Sequence, residues 1–99
     1  MIIVDFEGDV QPGREAEFEA SVQQMWVVLK DHPGFYSCKV YRNIGNHAHV
    51  KTTEQWKSYE EYVASLSQME SHPLTAKIRA CLVAEPSIRP YEIVSSTWQ

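Results

Sequence analysis

The chain has 99 residues, of which 43% are hydrophobic and 22% are charged, and its formal net charge at pH 7 is −4. This length predicts a single domain over residues 1–99, and the ordinary composition excludes a disordered or fibrous protein. The nine Lys and Arg residues form no cluster, which argues against nucleic acid as a partner. No apolar run could span a bilayer and no signal-peptide pattern is present, so we expect a cytoplasmic protein without a membrane partner.

The first half of the chain alternates between the patterns of strands and of a helix. In MIIVDFEGDV, side chains alternate with a period of two, which is typical of a strand. A helix is predicted over about residues 13–31, because apolar side chains recur there every three or four positions, and HPG at residues 32–34 ends it. FYSCKVYR alternates again, and a turn at residues 43–46 leads to a third strand, His47 to Trp56, so this pair is predicted to be a hairpin.

The second half begins with a helix start at Ser58. Glu61 follows three residues later, which is the spacing of a capping box, and a helix is predicted from about Tyr59. Its apolar side chains share one face, at Tyr59, Tyr62, Val63, Leu66 and Met69. The SHP break at residues 71–73 starts a second helical segment, and YEIVSSTW, residues 91–98, is predicted to be the fourth strand.

The element order β-α-β-β-α-β predicts an α+β, ferredoxin-like fold, with an antiparallel four-stranded sheet that carries helices on one face. The other face would present Ile3, Phe35 and Tyr41, or Tyr36 and Val40 if the register differs by one residue. Either set is too apolar for open solvent. We therefore expect a homodimer, in which a second copy covers this face to give a closed two-chain barrel.

Side chains that bind metals do not form a convincing site in this sequence. Cys38 and Cys81 lack CxxC spacing, and each falls on an apolar face of its element, so we expect buried free thiols and no disulfide. His47 and His49 share one face of the predicted third strand, but no clear third ligand accompanies them. No metal is therefore expected.

Four segments together resemble the antibiotic biosynthesis monooxygenase family of dimeric α+β barrels. They are VQPGREAEFEA, HPGFYSCKVYRN, EQWKSYEEY and SHPLTAKIRACL, and the similarity runs from about Ile2 to Val94. The order and spacing of these motifs carry the resemblance. The family includes quinone-forming monooxygenases that use neither metal nor flavin, haem-degrading oxygenases, isomerases and members with no known activity, so the fold alone does not choose a reaction.

The resemblance to the quinone-forming members implies a set of site residues. Trp56 and Tyr62 match the Trp and Tyr of that branch, and Arg79 matches its helical Arg if three residues are inserted before the second helical segment. Thr52 stands where the branch has an Asn, and a hydroxyl cannot offer a substrate the amide N–H₂ of Asn. His72 lies in a segment that covers the pocket in this family. We expect three catalytic residues and two that bind substrate, namely Trp56, Tyr62 and Arg79, and Thr52 and His72.

Each of these residues has a structural alternative. Trp56 and Tyr62 could instead pack in the core. Arg79 could be a solvated helix residue, and His72 could serve as a helix cap or lie on the surface.

The haem-degrading branch of the family fits less well. It has an Asn in the first strand, a Trp within the second helix and a His further along that helix. Here Asp5 stands near the first position, Ser65 occupies the second and His72 only approximates the third. Asp5 and Glu7 share one face of the first strand, where ion-paired or solvated carboxylates are a simpler interpretation than a catalytic base.

These observations predict a small homodimeric monooxygenase that acts, without a cofactor, on a flat phenolic or quinol-type substrate and O₂. Apolar walls with a few donors would stabilise the phenolate that reacts with O₂. The alternative is a dimeric ligand-binding or accessory module that keeps the fold without catalysis. The departure at Thr52 and the lack of a clear general base favour this alternative.

Overall fold

The computed structural model describes residues 1–97, in which four strands and three helices follow one another along the chain. The strands are β1 (Ile2–Asp9), β2 (Phe35–Asn43), β3 (Asn46–Trp56) and β4 (Ser87–Glu92). The helices are α1 (Glu15–Leu29), α2 (Tyr59–Ser71) and α3 (Pro73–Ala80). The strands form one antiparallel sheet in the order β2-β3-β1-β4, which confirms the predicted ferredoxin-like α+β fold.

The start of each later helix is fixed by a local hydrogen bond. The Ser58 hydroxyl accepts the backbone N–H of Glu61 at 3.2 Å, which confirms this half of the predicted capping box. The α3 helix begins with Pro73, whose missing N–H costs nothing at a first helical position. Its cap is His72, because Nδ1 of this ring accepts the backbone N–H of Leu74 at 3.1 Å.

The prediction for the fourth strand was wrong in its position. The strand was expected at residues 91–98, but β4 spans Ser87–Glu92, residues 93–97 form no strand, and Trp98 lies outside the described residues. Proline is unusual within a strand, because it has no backbone N–H to donate. Since β4 is an edge strand, Pro90 can pair with Val4 of β1 while its ring nitrogen faces the free edge.

The core lies between the sheet and the helices. Ile2, Val4, Val50 and Trp56 are buried on the helix-facing side of β1 and β3. They pack with a stripe of α1, formed by Phe18, Val22, Met25 and Leu29. Burying these apolar side chains is the main source of stability, at roughly 1.5–3 kcal/mol for each large one. The core also fixes which β3 side chains point toward the helices.

The opposite side of the sheet, here called the outer face, differs from its prediction at one position. Phe35 was expected there, but its ring packs against Trp56, with ring centroids 5.3 Å apart. A β-bulge between Phe35 and Ser37 causes this change, because an extra residue in a strand reverses the alternation of the side chains before it. Val40, which belonged to the alternative set, also packs against the core. Ile3 and Tyr41 lie on the outer face, as the first set predicted.

The outer face also carries ion pairs. Lys51 Nζ lies 3.3 Å from Asp5 and 3.8 Å from Glu7, and His49 Nδ1 lies 3.0 Å from Asp9 Oδ1. Asp5 and Glu7 are therefore paired with the Lys51 ammonium, as the simpler interpretation predicted, and Asp9 has the His49 ring as its neighbour.

The two cysteines were expected to be buried free thiols. Cys38 and Cys81 are both free thiols. Cys81 is buried and Cys38 is half-buried, and burial raises the pKa of each.

Within residues 1–97, no helix is both long and apolar enough to cross a membrane.

Candidate functional site

A cavity of about 190 Å³ lies between the helix-facing side of the sheet and the three helices. Its walls are mainly apolar, and side chains from six elements contribute to them, including Val4, Phe6, Met25, Trp26, Leu66 and Ile78. A few polar side chains interrupt these walls, among them Thr52, Glu54, Tyr62 and Arg79. An apolar hollow with a small number of converging polar groups is the usual form of a small-molecule site.

Strand β3 supplies the polar floor of the cavity through its alternation. Val50, Thr52, Glu54 and Trp56 are separated by two residues each, so all four side chains point toward the helices. Thr52 is only 7% exposed, yet it lines the cavity, and within residues 1–97 its hydroxyl has no side-chain hydrogen-bond partner. Thr52 therefore has a hydroxyl available to a ligand.

Trp56 is fully buried, with 0% exposure, and lies behind the cavity wall. Its ring makes edge contacts with Phe35 and with Tyr62, at centroid distances of 5.3 and 5.9 Å. Its indole N–H donates a hydrogen bond of 3.0 Å to Glu54 Oε1. Trp56 therefore acts on the cavity through two of the residues it contacts, Glu54 and Tyr62, which line the cavity.

Glu54 lines the cavity but was not among the site residues predicted from the sequence. Its carboxyl group lines the cavity, and burial raises its pKa above the usual range for Glu, although the hydrogen bond from Trp56 partly offsets this effect. The signal was available, since Glu54 lies between Thr52 and Trp56 at the period of a strand. A cavity that was predicted to lack a clear general base therefore contains a carboxyl group suited to that role.

Tyr62 comes from the first turns of α2 and lies on the wall of the cavity. Burial raises its pKa to about 12, and the negative charge of Glu54 adds to this effect. The phenol is therefore neutral at physiological pH and can donate a hydrogen bond to a ligand oxygen. Its ring also contacts Tyr59, at a centroid distance of 6.1 Å, so Tyr62 has both a packing and a cavity-facing part.

Arg79 lies at the rim of the cavity, near the end of α3. Its side chain is 47% exposed, and its guanidinium lies 3.3 Å from Glu85 Oε2. Such an exposed ion pair is weak, so the guanidinium can exchange Glu85 for an anionic group of a ligand at little cost.

The structure brings together three of the five predicted site residues on the cavity wall, namely Thr52, Tyr62 and Arg79. Trp56 lies directly behind that wall. His72 does not line the cavity, and its ring is engaged as the cap of α3, which confirms the capping alternative. A second aromatic wall residue, Trp26 of α1, was not singled out by the sequence analysis, since the helical period had assigned no role to its side of the helix.

The positions of the haem-degrading branch are dispersed. Asp5 lies on the outer face and pairs with Lys51, whereas Ser65 lines the cavity and donates a hydrogen bond of 2.7 Å to the Tyr62 carbonyl oxygen. In the part of the chain that the structure describes, no three His, Cys, Asp or Glu side chains are grouped to hold a metal ion.

Comparisons with known proteins agree with this architecture. The model of the antibiotic biosynthesis monooxygenase family matches residues 1–72, from β1 to the cap of α3. SnoaB is a cofactor-independent oxygenase from Streptomyces nogalater. The crystal structure of a SnoaB mutant aligns with this chain with a TM-score of 0.86 at 17% identity, and the alignment covers 96% of this chain and 94% of that one. A conserved protein from Methanosarcina mazei aligns with a TM-score of 0.73 at 21% identity, covering 91% and 89%. No curated protein sequence matches significantly.

Proposed function

We propose, since the chain belongs to the antibiotic biosynthesis monooxygenase family, that it is a cofactor-independent monooxygenase that inserts one oxygen atom of O₂ into a flat phenolic or quinol-type substrate with a free ring C–H. One observation carries the proposal: an apolar cavity on which Thr52, Glu54, Tyr62 and Arg79 converge. The structural similarity to SnoaB, which is itself a cofactor-independent oxygenase, supports the same chemistry.

The proposed reaction balances with O₂ as the only co-substrate. A phenol with a free para C–H reacts with one O₂ to give the para-quinone and one H₂O. Four electrons leave the ring, one oxygen atom becomes the new carbonyl oxygen, and the other leaves as water with the two hydrogens of the substrate. The difficult requirement is an electron-rich phenolate, because a neutral phenol reacts slowly with O₂.

The side chains around the cavity would supply that phenolate with a suitable environment. Trp26 and the other apolar walls would hold the flat ring and exclude water, which strengthens every electrostatic interaction inside. The Tyr62 phenol and the Arg79 guanidinium would stabilise the negative charge on the substrate oxygen as it develops. Thr52 would donate a further hydrogen bond from the floor of the cavity.

Oxygen uptake tests this proposal directly. We expect the protein to consume O₂ with 1-naphthol or with 1,5-dihydroxynaphthalene, and to form one quinone for each O₂ consumed. Arg79→Ala should lower kcat/KM about tenfold, which corresponds to the loss of one charge-assisted hydrogen bond. Arg89→Ala is the matched control, because Arg89 is exposed on β4 and does not line the cavity.

A ligand-binding module without catalysis is the second candidate, and the hydroxyl of Thr52 in place of an Asn is the observation that favours it. The same experiment separates the two functions. Tight binding of these phenols with O₂ uptake no faster than in buffer would support the binding module. Absence of binding would contradict both functions.

We propose further that the protein is a homodimer in the cytoplasm. The outer face presents Ile3, Tyr41 and Tyr91 beside its ion pairs, and such a mixed surface is typical of an interface between subunits. The two free thiols are those of a protein in a reducing compartment.

A further inference from the structure

The carboxyl group of Glu54 is held in one orientation and still has capacity to accept a proton. One oxygen, Oε1, accepts the indole N–H of Trp56 at 3.0 Å. Among residues 1–97, no Lys, Arg or His forms a salt bridge with Glu54. A half-buried carboxylate that has one neutral donor and no salt-bridge partner is costly to keep ionised. Such a group gains by taking up a proton from a ligand that enters the cavity.

Among the titratable groups around the cavity, Glu54 is the one placed to accept a proton inside it. From α2, Tyr62 and Glu70 face the cavity, and from α3 Arg79 does so at the rim, while α1 and β4 contribute apolar walls. Cys38 is its partner on β2, and burial raises the pKa of that thiol. Tyr62 holds its proton to about pH 12, so it acts as a donor, and Glu70 is exposed at the surface.

We propose that Glu54 is the general base that takes the phenolic proton of the substrate, and that Trp56 is the positioning residue that orients it. This inference rests on the proposed function. In the proton transfer, the phenol O–H bond breaks, the proton moves to a Glu54 oxygen, and the electron pair stays on the substrate oxygen. Glu54 becomes neutral as the phenolate forms, so two negative charges never face each other in the cavity. The proton later leaves in the product water.

The same geometry indicates the class of substrate. A cavity of about 190 Å³ is larger than the roughly 150 Å³ that holds benzene in an engineered apolar cavity, and smaller than the roughly 300–1,000 Å³ of sites for drug-sized ligands. It therefore suits a phenol of one or two fused rings. The substrate should arrive as the neutral phenol, because Glu54 would repel a ligand that is already anionic at that position.

The test compares variants with 1-naphthol as the substrate. Glu54→Gln keeps an oxygen that can accept the Trp56 N–H but cannot take a proton, so kcat should fall about 10²–10⁴-fold. The wild-type rate should decline as the pH falls below the pKa of Glu54. This decline is the acidic limb of the pH–rate profile, and it should be absent in Glu54→Gln and present in Glu54→Asp.

Trp56→Phe tests the positioning residue. The variant lacks the N–H that stabilises the Glu54 carboxylate, so the acidic limb of its pH–rate profile should move to higher pH. Glu60→Gln, an exposed carboxylate on α2 outside the cavity, is the matched control.

Two further measurements separate a chemical role from a structural one. Binding of 1-methoxynaphthalene, which has no acidic proton, should be unchanged in Glu54→Gln if the cavity is intact. More acidic nitro-substituted 1-naphthols should reduce the rate deficit of this variant, since they need less help to ionise. An active wild type with an equally active Glu54→Gln, and the same acidic limb, would overturn the role of Glu54 alone. A wild type that consumes no O₂ would overturn the proposed function and this inference with it.

Discussion

The carboxylate of Glu61 occupies the space in which Gly34 would carry a side chain. A Cβ placed on Gly34 would overlap Glu61 Oε2 and would lie 2.9 Å from Glu61 Cβ. The backbone of Gly34 also has a φ of +82°, which other residues rarely adopt. The loop before β2 therefore packs against the first turn of α2, beside Trp56, and it helps to set where the walls of the cavity begin.

Gly34→Ala should be destabilising for two separate reasons. The left-handed backbone costs about 1–2 kcal/mol for a residue with a Cβ, and the overlap with Glu61 adds about 1–3 kcal/mol. Gly13→Ala is the matched control, because Gly13 has a similar φ of +86° and a Cβ added there would meet nothing within 4 Å, so only the backbone cost remains. Urea denaturation measures both. A Gly34→Ala variant as stable as Gly13→Ala would mean that Glu61 moves aside freely.

Glu54→Gln should stabilise the protein, and more so at pH 8 than at pH 4. Because burial raises the pKa of Glu54, the folded protein holds this proton more tightly than the unfolded chain, whose Glu pKa is about 4.3. The stabilising effect is complete below that pH and is lost as the pH rises through the folded-state pKa. A neutral Gln avoids this loss.

Thermal unfolding of the two proteins at both pH values measures the effect. Glu60→Gln should change the melting temperature little at either pH, as is usual for an exposed position. A Glu54→Gln protein that melts at or below the wild-type temperature at pH 8 would show that the native carboxylate is well solvated.

Tyr62→Phe should reduce turnover while leaving the fold intact. The phenyl ring keeps the packing against Trp56 and Tyr59, but the hydrogen bond to the phenolate oxygen is lost, so kcat/KM should fall about ten- to hundredfold. Because the pKa of Tyr62 is about 12, no change of rate between pH 6 and about 10 should come from its ionisation. Tyr59→Phe, outside the cavity, should retain the wild-type rate. Equal rates for both variants would exclude Tyr62 from the chemistry.

The proposed dimer depends on the outer face of the sheet. Light scattering at micromolar concentration should give twice the chain mass of 11.4 kDa for the wild type. Ile3→Lys places a charge on the outer face, on the inner strand β1 between Gln55 and Tyr91, and should yield monomers. Ile44→Lys is the control, because Ile44 is 97% exposed at the turn between β2 and β3. A wild type that is monomeric would leave the outer face without a covering subunit.

The order of the elements could be predicted from the sequence because periodicity and turn residues act locally. The stripe of α1, the Ser58 cap and the β2–β3 hairpin are such features. The errors came from tertiary context. Only the edge position of β4 makes Pro90 acceptable in a strand, and only the bulge turns Phe35 toward Trp56.

Part of the candidate site could also be predicted from the sequence. Thr52, Tyr62 and Arg79 came from the family resemblance and do line one cavity, although their roles stay predictions. Glu54 could have been found from the alternation of β3, but the sequence does not show that no Lys, Arg or His of residues 1–97 forms a salt bridge with it. That property depends on how α2 and α3 pack over the sheet.

The proline in β4 has a consequence beyond the position of one strand. An exposed edge offers a row of backbone donors and acceptors to any passing strand, and such rows are where amyloid-like stacking begins. Pro90 interrupts that row near its middle, since it has no N–H to give. A foreign strand can therefore not extend the sheet along β4 with a continuous ladder of backbone hydrogen bonds. Pro90, the residue that made β4 hard to predict from the sequence, thus protects this edge from aggregation.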